Sequence, residues 1–383
     1  MAKRRLFGIR TPGFFHDGTP DYSLIICFFL ILGFGLAVLS SASSVVSFDK
    51  FRSPYFYSIH QLLFGLLPGL LCFYLASRID YHIWERFAAL FLIISIGLLL
   101  LVFIPGLGFE SGGAKRWVHF GSIVFQPSEI VKLTFLLYLA AWLTKKGEKS
   151  VRDFSYSFLP FLILVGTIAI LVILQPDMGT MGVIALICSA MYFLAGAPVR
   201  NLIAMLGGGV GFFFLLLKAA PYRMERFTIF LNPEQDPLGS GYHINQALLA
   251  IGSGGLLGRG FGLSRQKYNY LPEVVGDSIF AIIAEELGFL IAVALIVAFV
   301  FFVIRALRIG ARAPDQFGFL VAVGIACWFL FQSFINIAAM LSLLPLTGIP
   351  LPFISYGGSA LIVGMTAVGI LVNISRQAKI ERH

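Results

Sequence analysis

Charge is scarce in this sequence. Only 12% of the residues are Asp, Glu, Lys or Arg, about half the share usual in a soluble domain. With 58% hydrophobic residues and a mean hydropathy of +0.90, such a chain needs lipid as its solvent, which excludes an ordinary water-soluble globule. Cysteine is sparse too. Cys27, Cys72, Cys188 and Cys327 each sit inside an apolar run, with no paired spacing and no nearby His. That is the pattern of small buried side chains, not of a disulfide framework or a metal site. A cleavable leader is also missing: about twenty polar and Gly/Pro residues precede the first apolar run, and no small-residue cleavage site follows it. No internal repeat is visible.

What is present is a series of apolar runs. Stretches near the ~20 residues needed to cross a bilayer fall at about 23–43, 57–77, 87–106, 127–144, 157–175, 179–197, 201–218, 277–304, 316–340 and 354–375. Gln175-Pro176-Asp177-Met178 alone separates the fifth run from the sixth, so these two form a tight helical hairpin. The formal charge of +9 would suggest nucleic acid in a soluble protein, but here the placement of the cations matters more. With the N-terminus in the cytoplasm, the cytoplasmic segments hold 17 Lys and Arg and the outer segments nine, and Lys132 and Lys218 lie in or beside helices. The expected fold is therefore an all-α integral membrane protein: a ten-transmembrane-helix bundle in the inner membrane with both termini cytoplasmic. It forms a single membrane domain over 1–383. Residues 1–22 are a cytoplasmic segment and 376–383 a cytoplasmic tail. Residues 219–276 form a large extracytoplasmic loop between helices 7 and 8. That loop carries Tyr222, Phe227, Phe230, Leu248, Leu249 and Ile251, which a disordered linker would lack, and it predicts an interfacial helix around 241–251.

Several polar groups stand where lipid makes them costly. Asp277 opens the eighth span. It reads either as a helix N-cap or as a functional carboxylate above the small face Ala281, Ala284 and Gly288. Glu285 and Glu286 lie two turns deeper, where pairing with Arg, Lys or backbone is the favoured reading. Glu129 and Lys132, three residues apart, can meet on one helix face, as a structural pair or with Lys132 toward a polar cavity. Gln126, Pro127 and Ser128 mark the entry of that helix. Upstream, Lys115-Arg116-Trp117 suits a lipid phosphate or an interfacial anchor equally. Arg223 and Arg226 begin the long loop, and Arg forks fit phosphate oxygens. Six glycines between Gly252 and Gly262 permit close backbone approach to a ligand, but no strand precedes them, so they are no nucleotide fingerprint. Two prolines and two glycines in the stretch Pro350–Ser359 suggest a re-entrant or broken helix. Gln332 and Asn336 add a polar stripe suited to helix–helix hydrogen bonding. Together these groups describe an outward-facing polar crevice beside lipid, suited to a lipid-linked phosphate or diphosphate.

The strings Gly113-Ala114-Lys115-Arg116-Trp117, Phe125-Gln126-Pro127-Ser128-Glu129 with Lys132, Gln175-Pro176-Asp177-Met178-Gly179, Asp236-Pro237-Leu238-Gly239-Ser240-Gly241-Tyr242, Leu271-Pro272-Glu273 with Asp277, Ala284-Glu285-Glu286-Leu287-Gly288 and Pro350–Ser359 occur in one order along nearly the whole chain. In that order they resemble the SEDS family (shape, elongation, division, sporulation). Ser264-Arg265-Gln266-Lys267-Tyr268 resembles the division-type (FtsW) branch more than the elongation-type (RodA) branch. The resemblance implies a peptidoglycan glycosyltransferase that polymerises lipid II, an undecaprenyl-diphosphate-linked disaccharide-pentapeptide. It also implies a class b penicillin-binding protein as transpeptidase partner, among other division-complex membrane proteins. Asp277 takes the family's essential carboxylate, with Glu273 as a second one. Lys115, Arg116, Trp117, Gln126, Ser128, Glu129, Lys132, Arg226, Ser355, Tyr356, Gly357 and Gly358 are the expected substrate-binding residues. No cofactor is required by the reading, although a divalent cation (Mg or Mn) held by Asp277 is compatible with it. Two positions depart from the family pattern: Val274-Val275-Gly276 replaces a common Ala-His-Thr, and Thr347 stands where some division-type members have Lys. The competing readings are a lipid II flippase without chemistry and a non-catalytic scaffold of the division complex. A flippase needs a polar path through the full membrane, whereas the polar groups here cluster at one side.

Overall fold

Each of the ten apolar runs contains helix in the computed structural model, which describes residues 18–111, 114–121, 123–219, 221–232, 236 and 239–378. Among the described residues, seven helices are long and apolar enough to cross a membrane: Tyr22–Phe51, Phe56–Arg78, Phe154–Ile173, Val199–Lys218, Ile279–Ala311, Gln316–Met340 and Gly358–Gln377. Ala88–Leu101 and Met178–Leu194 are apolar but shorter. At about 1.5 Å per residue, the 14 residues of Ala88–Leu101 reach about 21 Å, less than the ~30 Å of a hydrocarbon core. The helix Pro127–Val151 has the length but carries Glu129 and Lys132 in its first two turns. Leu30, Phe64, Ile93, Ile163, Leu215 and Val297 each expose 60% or more of their surface, an apolar belt that water would not tolerate and lipid would.

Gln316–Met340 runs through the middle of the bundle, with Phe317, Trp328 and Phe329 buried. Phe329 packs against Phe302 and Phe353, with ring centroids 5.4 and 4.8 Å apart. That cluster ties the Pro350–Ser355 stretch to two helices. It is one of the contacts that fix the loop bordering the site.

The fold is mostly helical, as expected, and adds a small antiparallel sheet of order β1-β2-β3, made of β1 (Gly108–Ser111), β2 (Ala114–Phe120) and β3 (Ile123–Phe125). Val118 pairs with Gly108 on one side and Phe125 on the other, and its side chain is buried. Strands of four, seven and three residues are too short to give a clear two-residue periodicity.

The stretch expected to be a long loop holds two helices, Pro221–Leu231 and Ser240–Gly254. The second contains the 241–251 segment read as interfacial. Its glycine-rich continuation packs closely on another backbone. Helix Ile279–Ala311 breaks at Gly288, whose φ is +79°. Around the break, the N–H groups of Arg259 and Gly260 donate to the carbonyls of Glu285 and Glu286 (3.0 and 2.9 Å), and those of Phe289 and Leu290 donate to Gly255 and Leu256 (2.9 and 3.2 Å). A Cβ on Gly258 would lie 2.3 Å from the Glu286 carbonyl oxygen, so only glycine fits there. The buried carboxylates complete the same joint. Glu285 accepts from the Arg265 N–H (2.9 Å) and from the Ser264 hydroxyl. Glu286 accepts from Lys267 Nζ (3.0 Å), Ser41 Oγ (2.7 Å) and the Gly262 N–H (3.0 Å). Their role is thus structural.

At the opposite end of the bundle from the site, a second joint closes on His82. Its Nδ1 lies 2.7 Å from Asp80 Oδ1 and its Nε2 3.1 Å from Asp315 Oδ2. Tyr81 donates to Asp315 as well. With an acceptor on each ring nitrogen, the imidazole is held doubly protonated. The hydrogen bond to Asp315, reinforced by Asp80 and opposed by burial, raises its pKa to about 9 from the usual 6.5. Burial alone would raise Asp80 and Asp315, but the bonds from His82 hold both below the usual 3.8. A raised histidine contributes stability that is fully present below 6.5 and fades as pH climbs to about 9. The thermal midpoint in detergent is therefore expected to fall across that window in the wild type, and the fall should flatten in His82→Gln. A wild-type midpoint that does not change across the window would contradict the joint.

Candidate active site

Three connections converge at one end of the bundle: the sheet before Pro127, the segment 221–278 with its two helices, and residues 341–357. Between them lies a cavity of about 480 Å³, within the range of small-molecule sites. Arg116, Trp117, Gln126, Glu129, Glu273, Asp277, Tyr356 and Gly357 border it. These residues are far apart in sequence, and the fold gathers them on one surface.

Asp277 is half-buried at the cavity wall. It is not the N-cap of the following helix, which begins at Ile279 with Ser278 as the cap. The turn Pro272–Ser278 delays the helix start and leaves the Asp277 carboxylate at the cavity. Three groups hold the backbone of that turn. Asn336 Nδ2 donates to the carbonyls of Asp277 and Ile349, both at 2.8 Å. Ser355 Oγ donates to the Gly276 carbonyl (2.6 Å). The Tyr356 N–H donates to the Val275 carbonyl (2.8 Å). The Pro350–Ser359 motif therefore braces the carboxylate-bearing turn from behind. Glu273 is exposed and sits at φ +50°, a left-handed conformation that costs a non-glycine residue on the order of 1–3 kcal/mol. Its carbonyl accepts from the Gly276 and Ser278 N–H groups at 2.9 and 3.2 Å, which sustains the turn.

Arg116 enters from β2. Its guanidinium donates to the carbonyls of Gln175 (3.4 Å) and Pro176, at the turn of the helical hairpin. Gln126 Nε2 donates to Asp177 Oδ2 (3.3 Å), and Asp177 Oδ1 caps helix Met178–Leu194 through the Thr180 N–H (3.1 Å). The Gln175–Gly179 motif thus anchors two cavity residues without entering the cavity itself. Glu129 Oε1 meets Lys132 Nζ at 2.8 Å, with both side chains at most 3% exposed. Lys132 also donates to Gln332 Oε1 (2.7 Å) and lies 5.1 Å from the Trp328 ring centroid. Gln332 in turn donates to the Pro350 carbonyl (2.8 Å). Glu129 borders the cavity while Lys132 faces away from it.

The other expected residues are placed as follows. Lys115 is exposed on β2, and Ser128 is buried behind the cavity with its hydroxyl unpartnered among the described residues. Ser355 acts through Gly276, and Gly358 opens the last helix. The Arg226 side chain lies outside the described residues. Its helix, Pro221–Leu231, supplies Ile229 to the cavity. Sequence reasoning missed His243, Ile244, Leu346 and Gly348 and noted Thr347 only as a departure from the family pattern; all five line the cavity. A lone His in an interfacial helix carries no local signal, and the 346–348 residues gain meaning only once the loop folds back. Among the described residues, no group of three His, Cys, Asp or Glu side chains is placed to hold a metal ion. Chemically, the wall offers a carboxylate able to take a proton, a guanidinium able to face an anion, and aromatic faces for a sugar.

A mostly helical, multi-pass membrane protein with a carboxylate-bearing cavity at one end of its bundle is the class defined by these features. Residues 21–380 match the profile of the FtsW/RodA/SpoVE family, described as cell cycle proteins, and the chain belongs to that family. It is 41% identical over 361 residues to stage V sporulation protein E of Bacillus subtilis, covering 94% of this chain and 98% of that one. It is 41% identical over 363 residues to a probable peptidoglycan glycosyltransferase FtsW of Geobacter sulfurreducens, covering 94% and 96%. Among solved structures it resembles a chain of a peptidoglycan synthase complex that coordinates polymerization and crosslinking (TM-score 0.75, 26% identity, covering 94% and 98%). It also resembles the rod shape determining protein RodA of Thermus thermophilus (TM-score 0.68, 27% identity, covering 95% and 99%).

Proposed function

We propose that this chain is a peptidoglycan glycosyltransferase that polymerises lipid II into glycan strands at the outer face of the cytoplasmic membrane, in the division branch of its family. The observation that carries the reading is the presence of Asp277 and Arg116 in one cavity, within a family whose relatives bear that activity in their names. The cavity end of the bundle faces outward and both termini face the cytoplasm, in keeping with the excess of Lys and Arg on the other connections. All ten apolar helices belong to one membrane unit, and the 219–276 segment lies outside.

In the reaction, the 4-hydroxyl of the N-acetylglucosamine on lipid II is the acceptor. The growing strand, attached through its anomeric carbon to undecaprenyl diphosphate, is the donor. Asp277 takes the hydroxyl proton as the oxygen attacks that carbon. The bond to the diphosphate breaks on the opposite face, and the configuration inverts. Proton removal by a placed base is worth about 10²–10⁴ in rate. Arg116, pinned at the hairpin turn, faces the departing diphosphate, where a fixed cation stabilises developing charge without reorganising. Glu273 orients the acceptor. A class b penicillin-binding protein crosslinks the product, a pairing supported by the likeness to a polymerization-and-crosslinking complex.

Reconstitution with lipid II in vesicles separates the readings. The enzyme yields glycan strands of many lengths. Lipid II carried across the bilayer with no strands would point to a flippase, and crosslinking enhanced in the partner with no strands would point to a scaffold.

A further inference from the structure

One hydrogen bond beside the cavity belongs to none of the roles assigned above. His243, on helix Ser240–Gly254, places Nε2 2.6 Å from Ser278 Oγ. Ser278 is fully buried, follows Asp277 directly, and directs its hydroxyl to the Pro272 carbonyl at 2.7 Å. Asp277 Oδ1 lies farther from that hydroxyl, at 3.5 Å. A hydroxyl has one proton, and an oxygen–oxygen contact of 2.7 Å with a carbonyl requires it in between. The proton between His243 and Ser278 must then sit on Nε2. The chain runs Nε2–H to Oγ, then O–H to the Pro272 carbonyl.

This chain links two separate pieces of structure. Helix Ser240–Gly254 is seated on the bundle by Ile244, Ala247 and Ala250, all buried. The turn Pro272–Ser278 carries Asp277. From behind, the turn is held by Asn336, Ser355 and Tyr356. On the cavity side the described tether is His243, which itself lines the cavity.

We infer that His243 is a positioning residue for Asp277: through an Nε2–H bond to Ser278 it fixes the carboxylate-bearing turn relative to helix Ser240–Gly254. The inference rests on the glycosyl-transfer reading for its kinetic consequence but not for its geometry. Losing the bond to Ser278 and the alignment it enforces lowers kcat about tenfold in His243→Ala, with KM for lipid II within about twofold. Gln offers an amide N–H at similar reach, so His243→Gln recovers to within about threefold of wild type. Ser278→Ala loses this bond and the one to the Pro272 carbonyl, so it is at least as slow as His243→Ala, and the double variant is no slower than Ser278→Ala, because the bond between the two side chains is already gone.

The experiment measures polymerisation kinetics for this set, together with ¹⁵N spectra of the imidazoles in detergent-solubilised protein, with His243 assigned by its loss in His243→Gln. The expected spectrum has Nε2 protonated, with a shift that changes in Ser278→Ala. A His243→Gln variant as slow as His243→Ala, additive losses in the double variant, or a spectrum with Nε2 unprotonated would each overturn the inference. If the wild type makes no polymer at all, the glycosyltransferase reading fails, and the spectrum still decides the hydrogen bond.

Discussion

Exchanging Asp277 for alanine is expected to lower the rate of lipid II polymerisation by about 10²–10⁴, the range lost when a placed general base is removed. The fold should survive. The helix that follows begins at Ile279, and the turn is held through the carbonyls of Val275, Gly276 and Asp277, which accept from Tyr356, Ser355 and Asn336. Asn at 277 preserves shape but has no basic oxygen able to take the proton, so Asp277→Asn should be as slow as Asp277→Ala. Glu restores the base but extends it by a methylene, and a misplacement of about 1 Å can cost on the order of 100-fold. The order Asp, then Glu, then Asn and Ala together is the signature of a base. A purely structural Asp277 would place Asn nearest the wild type. Steady-state kcat, with the unfolding midpoint as a folding control, distinguishes the two.

The second large effect falls on stability. Lys132→Met should destabilise the protein by about 3–5 kcal/mol, because Glu129 would keep a buried charge with no cation beside it. Glu129 Oε1 meets Lys132, and Oε2 has no hydrogen-bond partner among the described residues, so nothing else there offsets the charge. Removing both charges, in Lys132→Met with Glu129→Gln, should recover most of the loss. Gln332 Oε1 would still accept from Trp328 Nε1 at 2.7 Å. Denaturation in detergent checks both variants. A single variant as stable as the wild type would show that water or substrate reaches Glu129 in the cavity.

The parts of this architecture dictated by lipid were legible in the sequence. A helix in a bilayer must be predominantly apolar, so each run from 23–43 to 354–375 could be read locally and each carries a helix. Leu248, Leu249 and Ile251 likewise marked the helix Ser240–Gly254 within a stretch otherwise resembling a loop. The parts that depend on distant partners were not legible. The strands around Val118 are too short for a periodic signal. Gly288 reads as a helix residue until residues 255–260 are seen to pair across the break it makes. The glycines of that stretch suggested a ligand because their true partner, the backbone around Glu285 and Glu286, lies more than twenty residues away.

The site divided in the same way. Residue physics placed carboxylates, Arg and aromatic groups at one side of the membrane, and the family resemblance singled out Asp277. Neither could say that Ser355 and Tyr356 hold the turn through its backbone, or that Lys132 turns toward Gln332 and away from the cavity. His243 was invisible because its meaning lies in a single bond to Ser278 across the loop.

The most direct test is polymerisation of purified lipid II by the detergent-solubilised chain with its class b partner, wild type beside Asp277→Ala, with products resolved by length. Glycan strands from the wild type and, over the same interval, at least about 100-fold fewer from the folded variant are predicted. Equal strands from both would remove Asp277 from the chemistry, and none from either with the partner bound would contradict the activity itself.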